Sequence, residues 1–108
     1  MDSNVVYNLT FKLGSDISDD WLNNLKSTYL PECYALYKPI HTQINEILIK
    51  AEDNDLTFAL QFTFPSEGAF LNEGKQMLKV LVLSMDKDFK NRYVYFGTLM
   101  QVLHTDPK

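Results

Sequence analysis

The stretch LTFALQFTF, residues 56–64, places a large apolar residue at every second position. Successive side chains of a β-strand point to opposite sides of a sheet, so a period of two predicts a strand with one apolar face. That face consists of Leu56, Phe58, Leu60, Phe62 and Phe64. This many large apolar side chains on one side predict a central strand whose apolar face is covered by another layer.

Three more segments have strand-like sequences. They are VVYNLTFKL at 5–13, IHTQINEILIK at 40–50 and RYVYFGTLMQVLHT at 92–105. A polar cluster separates the second of them from the central strand and consists of Glu52, Asp53, Asn54 and Asp55. Because Asp and Asn tolerate turn geometry, we predict a hairpin at this cluster.

A first helix is predicted between the first two strands. Apolar residues recur there every four positions, as on one stripe of an amphipathic helix, at Ile17, Trp21, Leu25 and Tyr29. Pro31 lacks an N–H, and its ring clashes with the carbonyl four residues back. We therefore predict a break near Tyr29 and Leu30, with Pro31 starting a short second helix that ends near Leu36.

A further helix is predicted after the central strand. Ser66 is suited to cap its first turn, and Glu67 follows where a carboxylate favours the helix dipole. The run VLVL at 80–83 is apolar all round, so periodicity alone does not distinguish helix from strand there. Length favours a helix, and the width of its apolar surface predicts burial on two sides.

The predicted element order is β, α, β, β, α, β. This order is typical of an α+β ferredoxin-like sandwich, in which a four-stranded antiparallel sheet carries two helices on one face. The other face stays open, and we place on it Asn8, Thr10, Gln61, Tyr95 and Leu99. This face is too apolar to be simply solvated, which predicts a homodimer of the dimeric α/β barrel type.

Four segments carry a resemblance to a known family. They are VVYNLTFKL, WLNNLKSTYLPE, LTFALQFTF and RYVYFGTLMQVL, in this order and at these separations. The sequence resembles the uncharacterised family called domain of unknown function 4286 over about residues 4–103. The resemblance implies a bacterial ferredoxin-like domain, similar to dimeric α/β barrel proteins, without an established activity.

The chain departs from the pattern that the resemblance implies. Where relatives have a histidine before an Ile/Leu-Pro pair, this chain has Tyr29. Where they have a glycine after the short helix and an arginine in each of the second and last strands, this chain has Tyr37, Glu46 and Gly97. A site built from those polar residues would not be carried over, so the chain resembles a divergent member.

Side chains with catalytic or metal-binding chemistry are few. We expect His41 and His104 at opposite ends of the sheet, too far apart for a metal pair. Cys33 lies beside Glu32, which does not favour a thiolate, so we predict a buried, inert thiol. The acidic clusters lack calcium-loop spacing and suit capping and turns. We therefore assign no catalytic residue, no metal site and no cofactor.

One candidate ligand pocket remains between the first helix and the sheet. Its lining would be Trp21, Tyr29 and Tyr34. Small monooxygenases of this architecture hold aromatic substrates in such a place. The alternative is that aromatic residues at helical spacing are simply core.

Length, composition and charge limit the domain count and the classes of partner. The 108 residues suffice for one domain, residues 1–108 with an ordered core of about 4–104. The net charge is −4 and the basic residues are scattered, which argues against nucleic acid. The longest apolar run, VLVLSM at 80–85, is too short to cross a bilayer. A single cysteine and no export segment predict a cytoplasmic protein.

Two functions are compatible with these observations. The first is a non-enzymatic cytoplasmic homodimer that binds a small-molecule ligand or a protein partner. The second is a small enzyme, either cofactor-independent and monooxygenase-like or isomerase-like, that uses a pocket near Trp21 and Tyr29. An enclosed cavity with convergent polar groups would favour the enzyme, and a filled core would favour the binding domain.

Overall fold

Four strands form one antiparallel sheet in the computed structural model, which describes residues 3–49 and 53–106. The strands are β1 (Val5–Leu13), β2 (His41–Ile47), β3 (Leu56–Phe64) and β4 (Tyr93–Gln101). Their spatial order is β2-β3-β1-β4, so β1 and β3 lie inside and the other two form the edges. The central position predicted for residues 56–64 is confirmed.

Two helical segments connect the strands, and each contains one wider π-helical turn. The first segment, residues 18–34, consists of α1 (Ser18–Asn24), a π turn (Leu25–Tyr29) and α2 (Leu30–Tyr34). The second segment, residues 67–89, consists of α3 (Glu67–Ala69), a π turn (Phe70–Gly74) and α4 (Lys75–Phe89). The predicted order of elements and the α+β class are confirmed.

Pro31 does not break the first segment as predicted. Tyr29 (φ −68°, ψ −45°) and Leu30 (φ −65°, ψ −48°) keep helical angles. The Leu30 N–H donates to the carbonyl of Leu25, five residues back, which closes a π turn directly before the proline. The helix therefore continues through the proline, and α2 ends at Tyr34.

The second segment begins with the predicted cap. The hydroxyl of Ser66 accepts a hydrogen bond from the backbone N–H of Ala69 at 3.0 Å. Residues 80–83 lie within α4, so the helix prediction is confirmed there. The predicted burial on two sides is not found within the chain, because Leu81 is fully buried while Leu83 is 57% exposed.

The hairpin between β2 and β3 is confirmed by their antiparallel pairing. Asn54, two residues before β3, adopts a positive φ of 64°, a conformation that asparagine tolerates better than most residues. Glu52, which belongs to the predicted turn cluster, lies outside the described residues.

The core lies between the sheet and the helical segments. On the sheet side it contains the aromatic rings of Phe11, Phe58, Phe62 and Phe64, all 4% exposed or less. These rings point towards the helices and not towards the open face, as the alternation predicted. Among the described residues, no helix combines the length and the apolar character needed to cross a bilayer.

The register of β4 corrects one part of the predicted open face. Residues directly opposite each other in neighbouring strands point to the same side of a sheet. Tyr95 is opposite Phe11, and Leu99 is opposite Tyr7, on the side where the helices lie. The placement of Tyr95 and Leu99 on the open face was therefore wrong.

Candidate functional site

Trp21, the first residue of the predicted pocket, is part of the packed core. It is 0% exposed, and its ring lies 5.2 Å from the rings of both Phe11 and Phe58, measured between centroids. Its indole Nε1–H donates to the sulfur of Met85 at 3.2 Å. The indole is thus enclosed on several sides by the chain's own side chains.

Tyr29 connects the first helical segment to α4. Its side chain is 1% exposed, its hydroxyl donates to Asp88 Oδ2 at 2.6 Å, and it accepts from Asn24 Nδ2 at 3.4 Å. Burial and the hydrogen bond to the carboxylate raise the pKa of this phenol to about 12. A second bond between the same segments runs from the hydroxyl of Ser84 to the carboxylate of Glu32. Tyr29 therefore acts here as a neutral, structural donor.

Tyr34 lies apart from the other two aromatic residues. It is half-buried, and its hydroxyl donates to Thr42 Oγ1 on β2 at 2.7 Å. Trp21, Tyr29 and Tyr34 do not line the cavities found beside β4 in the described part of the chain. The space predicted for a ligand between the first helix and the sheet is occupied by core side chains.

Cys33 is buried, as the sequence predicted. It is 0% exposed, and its thiol donates to the carbonyl of Leu30 at 3.3 Å. Burial raises the pKa of the thiol to about 12. Because the thiolate is the reactive species, this thiol is protonated and inert at neutral pH in the folded chain.

The burial of Cys33 leads to an expected result with Ellman's reagent. The folded protein should react at pH 8 far more slowly than protein unfolded in urea, which should release one thiol equivalent at once. A Cys33→Ser variant provides the blank. Rapid reaction of the folded protein would contradict the burial of this thiol.

The two histidines lie at the same end of the sheet, not at opposite ends as predicted. His41 pairs with Thr63, Thr63 with Val6, and Val6 with Met100, which places the start of β2 in one row with the end of β4. β2 and β4 are nevertheless the two edges, about 14 Å apart across three strand spacings. His104 contacts Asp106 at 2.6 Å, and the described residues contain no cluster of metal-ligating side chains.

The centre of the open face is polar. Asn8 lies between Gln61 on β3 and Thr98 on β4. Its Nδ2 donates to Thr10 Oγ1 at 2.9 Å, whereas its Oδ1 is shielded from solvent and has no partner among the described residues. A buried acceptor without a partner costs about 1–3 kcal/mol, so this oxygen lowers the stability of the single chain.

The β4 side of the open face is apolar. The register places there Val94, Phe96 and Met100, which are 65%, 63% and 41% exposed. A shallow depression of about 280 Å³ lies beside Val94 and Phe96, between β1, β3 and β4. These residues were not placed on the open face because the opposite parity was assigned to β4; their signal was the large apolar side chain at three of the four even positions of β4.

A groove runs on the other side of the sheet, between α4 and β4. It has a volume of about 320 Å³ and is lined by Tyr7, Leu9, Lys75, Leu78, Lys79, Val82, Leu83 and Tyr95. The absence of a side chain at Gly97 leaves room for the Tyr7 ring, which occupies the place where a Cβ at position 97 would lie. The pKa of Tyr7 is raised by burial and by the neighbouring phenol of Tyr95.

The sequence matches a family described as Domain of unknown function (DUF4286) over residues 4–103. The chain belongs to this family. The resemblance seen in the four sequence segments is thereby confirmed. No curated protein is significantly similar to the chain in sequence.

Solved structures similar to this chain share its fold at low sequence identity. A dimeric ferredoxin-like protein from an uncultured marine organism has a TM-score of 0.71 and 12% identity, covering 99% of this chain and 94% of that chain. SnoaB from Streptomyces nogalater, described as a cofactor-independent oxygenase, has a TM-score of 0.64 and 10% identity, covering 98% and 99%. A hydroxynitrile lyase from Passiflora edulis has a TM-score of 0.60 and 17% identity, covering 95% and 97%.

These similarities establish a ferredoxin-like fold for the family member described here. The similar structures are described as an oxygenase, a lyase and a protein named only by its fold. One scaffold thus supports different functions, and function has to be argued from the side chains.

Proposed function

We propose that this chain is a single-domain cytoplasmic protein that forms a homodimer through its open sheet face and acts as a non-enzymatic binding domain. The observation that carries the proposal is the row of exposed apolar side chains on β4 at Val94, Phe96 and Met100. Contiguous exposed apolar surface bordered by polar residues is typical of interaction sites.

The open face has the composition that an interface between two copies needs. Its apolar side, on β4, borders a polar centre at Asn8, Thr10 and Gln61. A two-fold axis would bring the same patch of each copy together, so the apolar row of one chain can cover that of the other. The dimeric ferredoxin-like protein of similar fold supports this arrangement.

The non-enzymatic part of the proposal is supported by the packing of the predicted pocket. Trp21 and Tyr29, which would have lined an active site, are core residues with defined partners. The buried thiol of Cys33 is protonated at neutral pH, which removes the chain's single cysteine as a nucleophile. Binding of a ligand or partner requires none of these groups to react.

A second candidate function is a cofactor-independent monooxygenase-like activity. It is favoured by the similarity in fold to SnoaB, which is described as a cofactor-independent oxygenase. Such an enzyme would consume oxygen in the presence of an electron-rich aromatic substrate. Oxygen uptake measured with a panel of phenols separates the two functions, because the binding domain predicts none above the buffer rate.

Replacing Phe96 by aspartate is expected to separate the dimer. The side chain is 63% exposed in the single chain, and a carboxylate in a dry interface would lose its hydration without gaining a partner. Light scattering at micromolar concentration should give twice 12.5 kDa for the wild type and 12.5 kDa for the variant.

Leu36→Asp is the matched control. Leu36 is 58% exposed, follows α2 and lies outside the sheet, so the same chemical change should leave the dimer intact. A wild-type protein that is monomeric in this measurement would overturn the proposed interface.

A further inference from the structure

We propose that the groove between α4 and β4 binds a small apolar carboxylic acid, with Lys75 and Lys79 holding the carboxylate. This inference rests on the proposed role as a binding domain, and it adds a site and a ligand class to it. The groove lies on the helix side of the sheet, opposite the proposed dimer face. Ligand binding and dimerisation can therefore be tested separately.

The polar groups of the groove all favour an anion. Lys75 and Lys79 lie one turn apart on α4, and neither has an ion-pair partner among the described residues. The phenols of Tyr7 and Tyr95 supply further donors, and the lining contains no carboxylate. Two unpaired ammonium groups on a chain of net charge −4 mark this groove as a local positive site.

The other residues that line the groove are apolar, so they favour a ligand with an apolar body. Leu78 and Val82 form the α4 wall, Leu9 lies on the floor, and Leu83 stays 57% exposed at the rim. The volume of about 320 Å³ is at the lower end of the range for small-molecule sites, about 300–1,000 Å³. A ligand of this size that places most of its surface on apolar walls has room for one small anionic group, and a carboxylate is the smallest.

The charges along α4 also give the ligand a direction. A second cavity continues the groove, sharing Val82 and Tyr95, and is lined by Asp86 and Lys90 further along. Asp86 accepts a hydrogen bond from the Tyr93 hydroxyl at 2.6 Å, so that end has one carboxylate beside one lysine, whereas the other end has two lysines. The carboxylate of the ligand therefore lies at the Lys75 end, and its apolar body points towards Val82.

The test uses 3-phenylpropanoate as a probe and 3-phenylpropanamide as its uncharged analogue. In ¹⁵N-correlated NMR spectra of the full chain, the acid should shift resonances of groove residues at millimolar concentration, and the amide should bind at least about tenfold more weakly. Lys79→Glu should weaken binding of the acid by about tenfold or more.

Lys26→Glu is the matched control, since Lys26 is an exposed lysine of the first helical segment and does not line the groove. It should leave binding unchanged, and both variants should keep the oligomeric state of the wild type in light scattering. Equal binding of acid and amide, equal loss in both variants, or no shifts in the groove would overturn the inference. So would selective binding of an acidic peptide or inorganic phosphate in place of the acid. A monomeric wild type that still binds the acid would overturn the dimer alone.

Discussion

Replacing Trp21 by alanine should lower the free energy of unfolding by about 3–5 kcal/mol. The indole is 0% exposed and packs against Phe11 and Phe58, so its removal leaves a cavity that the sheet cannot close. The Met85 sulfur also loses its donor. A loss of this size is a large part of the stability of a domain, about 5–15 kcal/mol. Urea unfolding followed by circular dichroism measures it.

Leu22→Ala serves as the control because Leu22 lies next to Trp21 on α1 and is only partly buried. Its replacement should cost clearly less than that of Trp21. A change below about 1 kcal/mol for Trp21→Ala would mean that the indole faces an open, solvated space. That result would restore the pocket that the sequence predicted.

Replacing Gly97 by alanine should lower the free energy of unfolding by about 1–3 kcal/mol. An added Cβ would overlap the hydroxyl and ring of Tyr7, whose ring is held by Phe70 at 4.8 Å between centroids. Intrinsic backbone preference alone would give the opposite sign, since glycine within a strand is less favourable than alanine by about 0.5–1 kcal/mol. The sign of the change therefore tests the contact.

Two further variants isolate the cause. Gly68→Ala is the control, because the nearest atom to an added Cβ there is 3.7 Å away, an ordinary contact, and alanine should be neutral or stabilising. In the Tyr7→Leu background, Gly97→Ala should lose most of its cost, giving a measurable coupling between the two positions. Additive effects would show that Tyr7 does not occupy the space above Gly97.

The alternation of residues 56–64 was sufficient to predict the centre of the sheet because only one of its faces is apolar. Only one orientation of this strand buries Phe58, Phe62 and Phe64, and the strand has that orientation in the structure. The side-chain alternation of β4 led to a wrong prediction, because Tyr95 and Leu99 on one side are matched by Phe96 and Met100 on the other. Shifting the assignment of a strand by one residue exchanges its two faces. When both faces are apolar, the sequence does not show which face packs against the helices.

The prediction of a ligand pocket at Trp21 and Tyr29 was wrong for a different reason. Helical spacing places Trp21 and Tyr29 towards the sheet, and it does so equally for a pocket and for a core. The difference depends on long-range partners, Met85 and Asp88 on α4, which no local pattern contains. The groove beside β4 could not be predicted from the sequence for the same reason. Tyr7 and Lys79 line it together only when α4 packs along the edge of the sheet.

The side-chain bonds between the first helical segment and α4 also bear on how the chain folds. They join residues 64, 59 and 52 positions apart, at Trp21–Met85, Tyr29–Asp88 and Glu32–Ser84. Contacts of such separation form late, because a long loop must close before any of them contributes. The two helical segments belong to different βαβ halves of the chain, so none of these bonds forms until both halves have come together. We therefore expect contacts between the two helical segments to form late in folding, which makes folding slow. We also expect unfolding to begin where these two segments separate.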